Sequence, residues 1–323
     1  MPRVSATILN YDGRQLLEII LPSLAAQSFR DFEIVVVDNA STDDSIAYLE
    51  ADWPQVRVVS TGPQNVGVTA ALNVGIDAAE AEYVALLNND IELEAGWLGE
   101  LVSALDDDPE LGSAVGKLRN YYRRSELDGA GDVFLRGGAG GKRGNRHPDR
   151  GQFDAADEVL CPTGGAGLYR ASALRAVGPF DEWLYAYFED VDWGLRAQAI
   201  GLRCRYVPTA IGYHMEGATT GGRRNRRYHA LQQRNTLALL VMNIPLRYLV
   251  ANAPRIVVYQ LFVLSRSVRD GLLRSHLRGV ADAIGALPRL LSERRRRNAR
   301  RTLGAGDYAQ AISVGLSAMA RRP

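Results

Sequence analysis

The sequence predicts an α/β fold with a mainly parallel sheet, helices on both faces and a helical region after residue 235. Apolar segments of strand length alternate four times with segments of helical periodicity within the first 105 residues, as they do in chains of β-α units. Polar residues then follow predicted strands at Asn10, at Asp38 and at 88–90. Because parallel strands end at a common edge, these residues are expected to meet where such sheets bind ligands.

The four amino-terminal strands are predicted from short apolar runs that stop at turn-forming residues. They are Val4–Leu9, Glu33–Val37, Val56–Ser60 and Tyr83–Leu87. Helical spacing of apolar residues predicts the intervening helices, which are Gln15–Gln27, a helix ending near Glu50, an Ala-rich helix ending near Ala79, and Gly96–Leu105. Ser41 or Thr42 is the expected amino-terminal cap of the second helix.

The middle of the chain contains a long segment without apolar periodicity. Residues 120–152 are rich in Gly and Arg, and we interpret them as a mobile loop, either a lid over a site or a surface insertion without function. The elements predicted after it are a strand at Glu158–Cys161, a helix at Ala171–Val177, a helix with Glu189–Asp192 in its first turn, and a strand at Arg205–Ile211.

Composition and motifs exclude several classes of protein. The 323 residues include two cysteines, Cys161 and Cys204, whose number and spacing fit neither a disulfide framework nor a zinc site. No GxGxxG or GxxxxGK[ST] motif follows a predicted strand, so a dinucleotide-binding or P-loop protein is not expected. The amino terminus lacks a signal-peptide layout, which together with the cysteine content predicts a cytoplasmic protein.

Charge is distributed unevenly along the chain. Residues 236–323 contain 15 Arg, no Lys and four acidic residues, a net charge of +11, which leaves −10 on residues 1–235. Apolar stretches in this carboxyl-terminal region are interrupted by Pro and Arg, and no uncharged run reaches the ~18–20 residues of a spanning helix. We therefore predict amphipathic helices that lie on an anionic membrane surface, with Arg294–Arg297 as a polybasic patch. The alternatives are a helical subdomain with a solvated Arg face, and a nucleic-acid-binding tail, which would lack interleaved aromatic residues.

Two short segments concentrate groups suited to chemistry. Residues 88–90 place three oxygen-bearing side chains after a buried strand, which suits a hard divalent ion; an Asx-rich turn is the alternative. Further along, Glu189, Asp190 and Asp192 stand among four aromatic residues. Such a segment suits a sugar platform with a general base, and simple helix capping is the alternative.

Taken together, these segments resemble the inverting GT-A glycosyltransferases of family 2, in their rhamnosyltransferase-like branch. The resemblance covers about residues 3–235 and rests on the order and separation of short motifs: Asn10-Tyr11, Val36–Ser41, Asn65–Gly67, Leu87–Asp90, Gly164–Ala166, Gly178–Glu182, Phe188–Asp192 and His214. It implies a GT-A domain at residues 1–235, followed by a basic, amphipathic helical region at 236–323.

The resemblance implies roles for residues at matching positions. Donor contacts are expected from Asn10, Asp38, Asn39, Asn65, Gly67, Asn88 and Asn89. Asp90 and His214 would bind Mn²⁺ or Mg²⁺, and Asp190 would be the general base. Acceptor contacts are expected from Gly165, Glu189, Asp192 and Trp193, and phosphate contacts from Arg223 and Arg227. Asn88 stands where the family has its first metal-binding Asp, so fewer anionic ligands are available.

The implied activity is that of an inverting, metal-dependent hexosyltransferase. It would move a sugar from a nucleotide-sugar donor to a hydroxyl of a saccharide or polyprenyl-linked saccharide in bacterial envelope synthesis, at the inner face of the cytoplasmic membrane. Rhamnose from dTDP-rhamnose is the first expectation, and galactofuranose or another hexose from a UDP donor is the alternative. No nucleic-acid partner is expected.

Two alternatives of other classes are less consistent with the residues. A sugar-nucleotide pyrophosphorylase would need a Gly-rich loop bearing Arg and Lys after the first strand, where the chain has Asn10–Gly13. A non-catalytic scaffold docked on the membrane would have no need of both Asp90 and Asp190.

Overall fold

The computed structural model describes residues 1–163, 165–215, 217 and 225–316. Its strands are β1 (Val4–Asn10), β2 (Phe32–Asp38), β3 (Arg57–Ser60), β4 (Tyr83–Asn88), β5 (Ile91–Leu93), β6 (Leu111–Asn120), β7 (Leu127–Gly129), β8 (Asp132–Leu135), β9 (Ala139–Lys142), β10 (Asp157–Val159), β11 (Ala166–Arg170) and β12 (Arg203–His214). Its helices are α1 (Arg14–Ala25), α2 (Ser45–Asp52), α3 (Val68–Ala78), α4 (Trp97–Asp107), α5 (Ala171–Val177), α6 (Glu189–Ala199), α7 (Arg226–Asn243), α8 (Leu246–Arg269), α9 (Leu273–Gly285), α10 (Leu287–Arg300) and α11 (Ala305–Ala311), with a 3₁₀ turn at Glu182–Leu184.

One large sheet organises the molecule, with the strand order β10-β12-β6-β11-β4-β1-β2-β3 and with β5 and β7 beside β12 and β6. The half made of β3, β2, β1 and β4 is parallel throughout, as the alternation of strands and helices predicts. In the other half, β12 is parallel to β6, while β11 runs antiparallel between β6 and β4. β6 and β11 are not among the predicted strands.

Both faces of the sheet are covered. Ile8 of β1 packs in one apolar cluster with Leu17 and Leu24 of α1. On the other side, Leu86 of β4 belongs to a second cluster with Leu174 of α5. Strands buried on both faces are apolar at nearly every position, which is why short uninterrupted apolar runs identified β1, β2 and β4.

The register of the parallel strands brings their polar ends together. Asn10 pairs with Asp38, and Leu9 pairs with Asn88, so the carboxyl ends of β1, β2 and β4 lie side by side. At the far end of the sheet, β5 pairs antiparallel with the last residues of β12, which sets Ile91 opposite His214. This pairing brings the chain that precedes β5 next to His214. No local sequence pattern reveals a contact between residues so far apart in the chain.

The cap of α2 differs from the prediction. Asp44, not Ser41 or Thr42, occupies the N-cap position. Ser41 and Thr42 instead bind the loop after β1: Ser41 Oγ accepts from the Asp12 amide at 3.0 Å, and Asp12 Oδ1 accepts from the Thr42 amide at 2.6 Å. These two residues hold the first two strand ends together.

The segment 120–152 is folded, which corrects its prediction as a mobile loop. It forms β7, which pairs with β6, and the hairpin of β8 and β9. Gly137 lies in the hairpin turn against Tyr259 of α8, where an added Cβ would come within 2.9 Å of the Tyr259 side chain. A Gly-rich stretch here therefore reflects close packing rather than mobility.

The carboxyl-terminal helices pack on the α/β domain. The predicted division between 1–235 and 236–323 falls inside α7, whose residues Leu239 and Leu240 share an apolar cluster with Val191 and Leu195 of α6. The expected polybasic patch is partly structural: Arg294 donates to the carbonyls of Val241 and Ile244, at 2.7 and 2.9 Å. Arg297 pairs with Asp181 at 2.9 Å and with Asp192, so two of the four arginines in that run are unavailable to lipid.

Helix α8 corrects one further expectation. Its interrupted apolar stretches form one helix of 24 residues with Pro254 inside it. Within the described part of the chain, α8 is the one helix long and apolar enough to cross a membrane. It is largely exposed: the apolar side chains on its open face are Leu246, Val250, Val257, Val258, Leu261, Phe262 and Val268.

Candidate functional site

A cleft of about 630 Å³ opens at the polar edge of the sheet. One wall is formed by the ends of β1, β2 and β4 and by the start of α3. Another part of the lining comes from the β8–β9 hairpin, the start of α6 and the first turns of α7. Most of the residues predicted to act on substrate line this cleft or lie directly behind it.

Asn39 orders the loop that enters α3. Its Nδ2 donates to Asn65 Oδ1 at 3.2 Å and to the Gly67 carbonyl at 3.3 Å, and its Oδ1 accepts from the Val66 amide at 3.0 Å. Gly67 has φ of 89°, and an added Cβ would lie 2.5 Å from the Tyr185 ring. Asn39, Asn65 and Gly67 all line the cleft, as predicted for donor contacts.

Asn10 and Asp38 lie behind this wall. Asn10 is fully buried, donates to Ser41 Oγ at 3.2 Å and accepts from Asn89 Nδ2 at 2.9 Å. Its side chain is thus engaged with Ser41 and Asn89 in this structure, and its contact with a donor stays a prediction. Asp38 accepts from the Ser41 amide at 3.2 Å, while its buried Oδ1 has no hydrogen-bond partner among the described residues.

Asp90 and His214 meet at the base of the cleft. Asp90 Oδ1 lies 3.3 Å from His214 Nε2, and the Met215 amide donates to the Asp90 carbonyl at 3.0 Å. On the other side of the ring, Nδ1 of His214 lies 2.9 Å from Asp128 Oδ2, which also accepts from Lys142 Nζ at 2.8 Å. The result is a buried row of alternating acidic and basic groups.

Neighbouring groups in this row favour each other's charged forms. Burial opposes the charge of Asp128, but Lys142 and His214 hold the pKa of Asp128 well below its usual range. Burial also opposes the charge of His214, yet its bonds to Asp128 and Asp90 raise the pKa of His214 to about 9. Asp128 therefore fixes the ring and leaves Nε2 directed at Asp90.

Asp90 and His214 fit a divalent cation as two of its ligands. Asp90 Oδ1 is buried and accepts no hydrogen bond of normal geometry from the described residues, although His214 Nε2 is nearby. A carboxylate on the far nitrogen of a metal-binding His is the usual supporting arrangement. In the described part of the chain no three His, Cys, Asp or Glu side chains converge as a metal site. Further ligands can come from a bound phosphate or from water.

Asp190 lies in a second acidic group, the acidic cluster of Asp132, Glu189 and Asp190, all of which line the cleft. The pKa of both Asp132 and Glu189 is raised far above the ordinary value of a carboxyl group. Burial is the larger cause, and the charge of Asp190 is the second. Asp190 also accepts a hydrogen bond from the Val191 amide at 2.7 Å. Carboxyl groups this close oppose each other's ionisation, a property of catalytic acid–base sites.

The turn before α6, which leads into Glu189 and Asp190 of the acidic cluster, has a strained backbone. Tyr185, Tyr187 and Phe188 all have φ between 65° and 69°, the left-handed region that bulky residues avoid. Asn235 of α7 stabilises this turn, because its Nδ2 donates to the carbonyls of Leu184, Ala186 and Tyr187. The predicted domain boundary at 235 therefore coincides with a residue that supports the site.

The structure does not place Asp192 and Trp193 in the cleft, which corrects their predicted acceptor contacts. Asp192 is completely buried and pairs with Arg196 at 2.9 Å and with Arg297. Trp193 packs edge-on against Tyr169 with ring centroids 5.0 Å apart. Both side chains point from α6 into the body of the protein, away from the acidic cluster.

The remaining predicted residues divide between the cleft and its surroundings. Asn88, Asn89, Gly165 and Glu189 line the cleft. Gly165 has φ of 107°, and a Cβ there would come 2.6 Å from Asn88 Nδ2. Arg227, at the start of α7, stacks over the Tyr185 ring with 4.9 Å to its centroid, beside the cleft rather than in it. Arg223 lies outside the described residues.

Three charged residues of the site, Asp128, Asp132 and Lys142, are missing from the prediction. All belong to the segment interpreted as a loop. A sequence pattern could have identified the two acids. In Leu127-Asp128-Gly129 and in Asp132-Val133-Phe134, a single acidic residue stands in or beside a short run of strand-like composition.

Comparison with known proteins gives matches over most of the chain. The family model "Glycosyl transferase family 2" matches residues 5–178, and "Glycosyl transferase family group 2" matches residues 95–273. The N-acetylglucosaminyl-diphospho-decaprenol L-rhamnosyltransferase of Mycobacterium tuberculosis is 31% identical over 244 residues, 68% of this chain and 78% of that protein.

Other relatives are much longer than the chain. The O-antigen biosynthesis protein RfbC of Myxococcus xanthus is 31% identical over 227 residues, which are 68% of this chain and 18% of that protein. The chain likewise spans 25% of an uncharacterised protein, y4gI, of Sinorhizobium fredii.

Among solved structures, the mannosyltransferase PcManGT from Pyrobaculum calidifontis, in complex with GDP-Man and Mn²⁺, is similar over the whole chain and 88% of its own length. The TM-score is 0.56 at 16% sequence identity, which is similarity of fold.

Proposed function

Since the chain belongs to glycosyl transferase family 2, in its rhamnosyltransferase-like branch, and has the GT-A fold, we propose that it transfers a sugar from a nucleotide-sugar donor to a saccharide hydroxyl. The observation that carries the proposal is one cleft that joins the polar strand edge, the Asp90–His214 pair and the half-buried carboxylate of Asp190. A donor site and a general base then share a single cavity.

The donor nucleotide would lie on the strand-edge wall. The unpartnered Oδ1 of Asp38 suits an N–H of the base, and the loop ordered by Asn39 provides a close backbone surface at Gly67. The diphosphate would then extend toward Asp90 and His214. A relative's name specifies rhamnose, and we propose dTDP-rhamnose as the donor on that similarity, with UDP sugars as the alternative.

Asp90 and His214 would hold Mn²⁺ or Mg²⁺ together with the donor diphosphate. Bound there, the cation would stabilise the negative charge that develops on the departing nucleoside diphosphate. PcManGT, whose solved structure has a similar fold, is in complex with Mn²⁺. Asn88 provides an amide instead of a carboxylate close to this site, so the nucleotide would supply much of the anionic coordination.

Asp190 would act as the general base toward the acceptor. It lies at the start of α6, where a hydroxyl bound in the cleft can reach it. Proton removal makes the hydroxyl oxygen nucleophilic as it attacks the anomeric carbon. A single displacement by an oxygen on the face opposite the leaving group inverts that carbon.

The acceptor is proposed to be a polyprenyl-linked saccharide, presented at the inner face of the cytoplasmic membrane. The hairpin that lines the cleft also contacts α8 through Gly137 and Tyr259. The exposed apolar face of α8 thus adjoins the acceptor wall, and Arg255, Arg266 and Arg269 on the same helix would meet anionic headgroups. We propose that α8 lies along the bilayer rather than across it.

Turnover with defined substrates tests the proposal. The protein is incubated with dTDP-rhamnose, UDP-galactofuranose or UDP-glucose and a short-chain N-acetylglucosaminyl diphospholipid, with Mn²⁺, Mg²⁺ or chelator. Nucleoside diphosphate release and the anomeric configuration of the product are measured. We expect release that depends on acceptor and on metal, with one donor preferred and inverted stereochemistry. Donor binding without release for every donor would instead identify a non-catalytic binding protein.

A further inference from the structure

Asp132, at the start of β8, lies beside the proposed base without any predicted role. Cross-strand pairing sets Asp132 opposite Lys142 and Phe134 opposite Gly140. Since paired and alternate residues share a face of the hairpin, these four residues point the same way. Gly140 identifies the direction, because a Cβ there would lie 2.7 Å from Val191 Cγ2. Asp132 therefore faces the first turn of α6.

The position of Asp132 is fixed by its backbone. Its amide donates to the Cys161 carbonyl at 3.1 Å, and its carbonyl accepts from the Leu160 amide at 2.9 Å. The side chain is 5% exposed and lines the cleft. A carboxyl group held this rigidly in a buried position has lost its solvation, and only a hydrogen-bond partner can compensate for that loss.

Oδ1 of Asp132 is buried, and within the described ranges it has no hydrogen-bond partner. The nearby Lys142 donates instead to Asp128, at 2.8 Å. Glu189 repeats the pattern, with a buried and unpartnered Oε2 in the same part of the cleft.

We propose that Asp132 binds the acceptor saccharide, accepting a hydrogen bond from a hydroxyl adjacent to the one that Asp190 deprotonates. A sugar ring carries neighbouring hydroxyls, so one ring can satisfy Asp132 and present its nucleophilic oxygen to Asp190. The inference rests on the proposed transfer reaction and adds a specificity-determining residue to it. The ligand class is a polyol, and the geometry selects acceptors with vicinal hydroxyls.

An acceptor analogue tests this assignment in a double-mutant cycle. Wild-type protein and Asp132→Ala are compared with the N-acetylglucosaminyl diphospholipid and with its deoxy analogues, each lacking one hydroxyl next to the nucleophilic one. A hydrogen bond to a charged group changes kcat/KM by about tenfold to a hundredfold. For wild type, we expect kcat/KM to fall by that factor when one deoxy analogue replaces the natural acceptor. For Asp132→Ala, we expect kcat/KM with the natural acceptor to be lower than that of wild type by the same factor, and to fall little further with that analogue.

Further measurements separate this assignment from a folding defect and from failure of the proposed function. Asp132→Asn, of equal size, and Asp107→Asn, an exposed carboxylate, are the matched variants. Asp107→Asn is expected to behave as wild type, and calorimetric affinity for dTDP with Mn²⁺ is expected to be equal in all variants.

Equal discrimination between acceptor and deoxy analogues by wild type and Asp132→Ala would overturn the assignment while the transfer reaction stands. Loss of nucleotide affinity in both Asp132 variants would also overturn it, since Asp132 would then support the donor site. Absence of turnover in wild type would remove the transfer reaction and this assignment together, whatever the variants do.

Discussion

Arg297 of α10 donates a hydrogen bond to Asp192 of α6, whose side chain is completely buried. The same guanidinium donates to Asp181 at 2.9 Å and to Asn243 Oδ1 at 2.8 Å. Asp192 also accepts from Arg196 at 2.9 Å. An arginine predicted to face lipid thus fastens the carboxyl-terminal helices to the helix that begins with the acidic cluster.

Replacing Arg297 by Ala is expected to destabilise the protein strongly. Removing one partner of a buried ion pair leaves the other charge uncompensated, which typically costs about 3–5 kcal/mol. Urea denaturation followed by circular dichroism measures the change. Arg296→Ala is the matched control, because the Arg296 side chain is 75% exposed and pairs only with Glu293 among the described acids. Equal midpoints for the two variants would contradict a structural role for Arg297.

The stability supplied by Asp192 is expected to disappear in acid. Burial opposes ionisation of Asp192, but Arg297, Arg196 and Asn243 lower its pKa below the ordinary value. Because the folded-state pKa lies below the unfolded value of about 3.9, the stabilisation is complete above about pH 4 and declines as the pH falls through the folded value. We expect the difference in unfolding free energy between wild type and Asp192→Asn to be largest at neutral pH and to shrink below about pH 4. A difference independent of pH would show that ionisation of Asp192 contributes nothing.

Charged substitutions on the open face of α8 are expected to weaken membrane binding. Leu261 and Phe262 are 59% and 55% exposed there, and burying such side chains in a bilayer interface contributes on the order of 1.5–3 kcal/mol each. Leu261→Asp with Phe262→Asp should reduce co-sedimentation with anionic liposomes at least tenfold.

Val58→Asp, an exposed apolar site on β3, is the control for that experiment. Deleting α9 and α10 would be a poor test, because the deletion removes Arg297. Release of wild-type protein by high salt or alkali is expected for a helix lying on the surface. Extraction by detergent alone would instead identify α8 as a spanning helix.

Asp90→Ala is expected to abolish the metal-dependent part of nucleotide affinity. Asp90 provides a buried carboxylate oxygen beside His214 Nε2, which suits Mn²⁺ or Mg²⁺. Calorimetry with dTDP and UDP, with Mn²⁺ or chelator, measures the effect. Asp128→Asn removes the carboxylate that supports the His214 ring, together with its ion pair to Lys142, and should weaken metal affinity by about 10- to 100-fold. Wild-type metal dependence in Asp90→Ala would show that Asp90 is not a ligand.

The family and the fold were predictable because they depend on local patterns that recur in order. Apolar runs define β1, β2 and β4, and the polar residues at their ends identify the ligand edge before any pairing is known. Asp90 and Asp190 stand out for the same reason. Each comes shortly after an apolar or aromatic run: Asp90 is three positions after Leu87, and Asp190 is two positions after Phe188.

The contacts that complete the site depend on long-range pairing instead. Asp128 reaches His214 across 86 residues, and Asn235 supports the turn before α6 from about 50 residues away. Asp192 looked equivalent to Asp190 in sequence, yet residues two positions apart on a helix point about 200° apart, so these two lie on different sides of α6. Trp193 instead packs against Tyr169, a contact that the sequence does not reveal. Gly-rich composition at 137–141 suggested mobility, whereas the tight contacts of the hairpin are what require glycine.

Replacing Asp190 by Asn is expected to lower kcat by ~10²–10⁴-fold, the contribution typical of a general base. The amide keeps the size and polarity of the side chain but cannot take the proton of the acceptor hydroxyl. Donor affinity should change little, because in the proposed mechanism Asp190 acts on the acceptor hydroxyl and not on the nucleotide. Turnover at saturating donor, paired with calorimetric nucleotide affinity, separates the two effects.

Glu189→Gln is the matched control for Asp190→Asn, since Glu189 lies in the same turn of α6 and lines the same cleft. If Asp190 alone is the base, Glu189→Gln should cost less in kcat. Asp192→Asn is no substitute for this control, because Asp192 is buried in ion pairs and its loss reduces stability. Near-normal turnover in Asp190→Asn would remove its assignment as base. A joint collapse of turnover and nucleotide affinity would mean that Asp190 maintains the structure of the cleft rather than removing a proton.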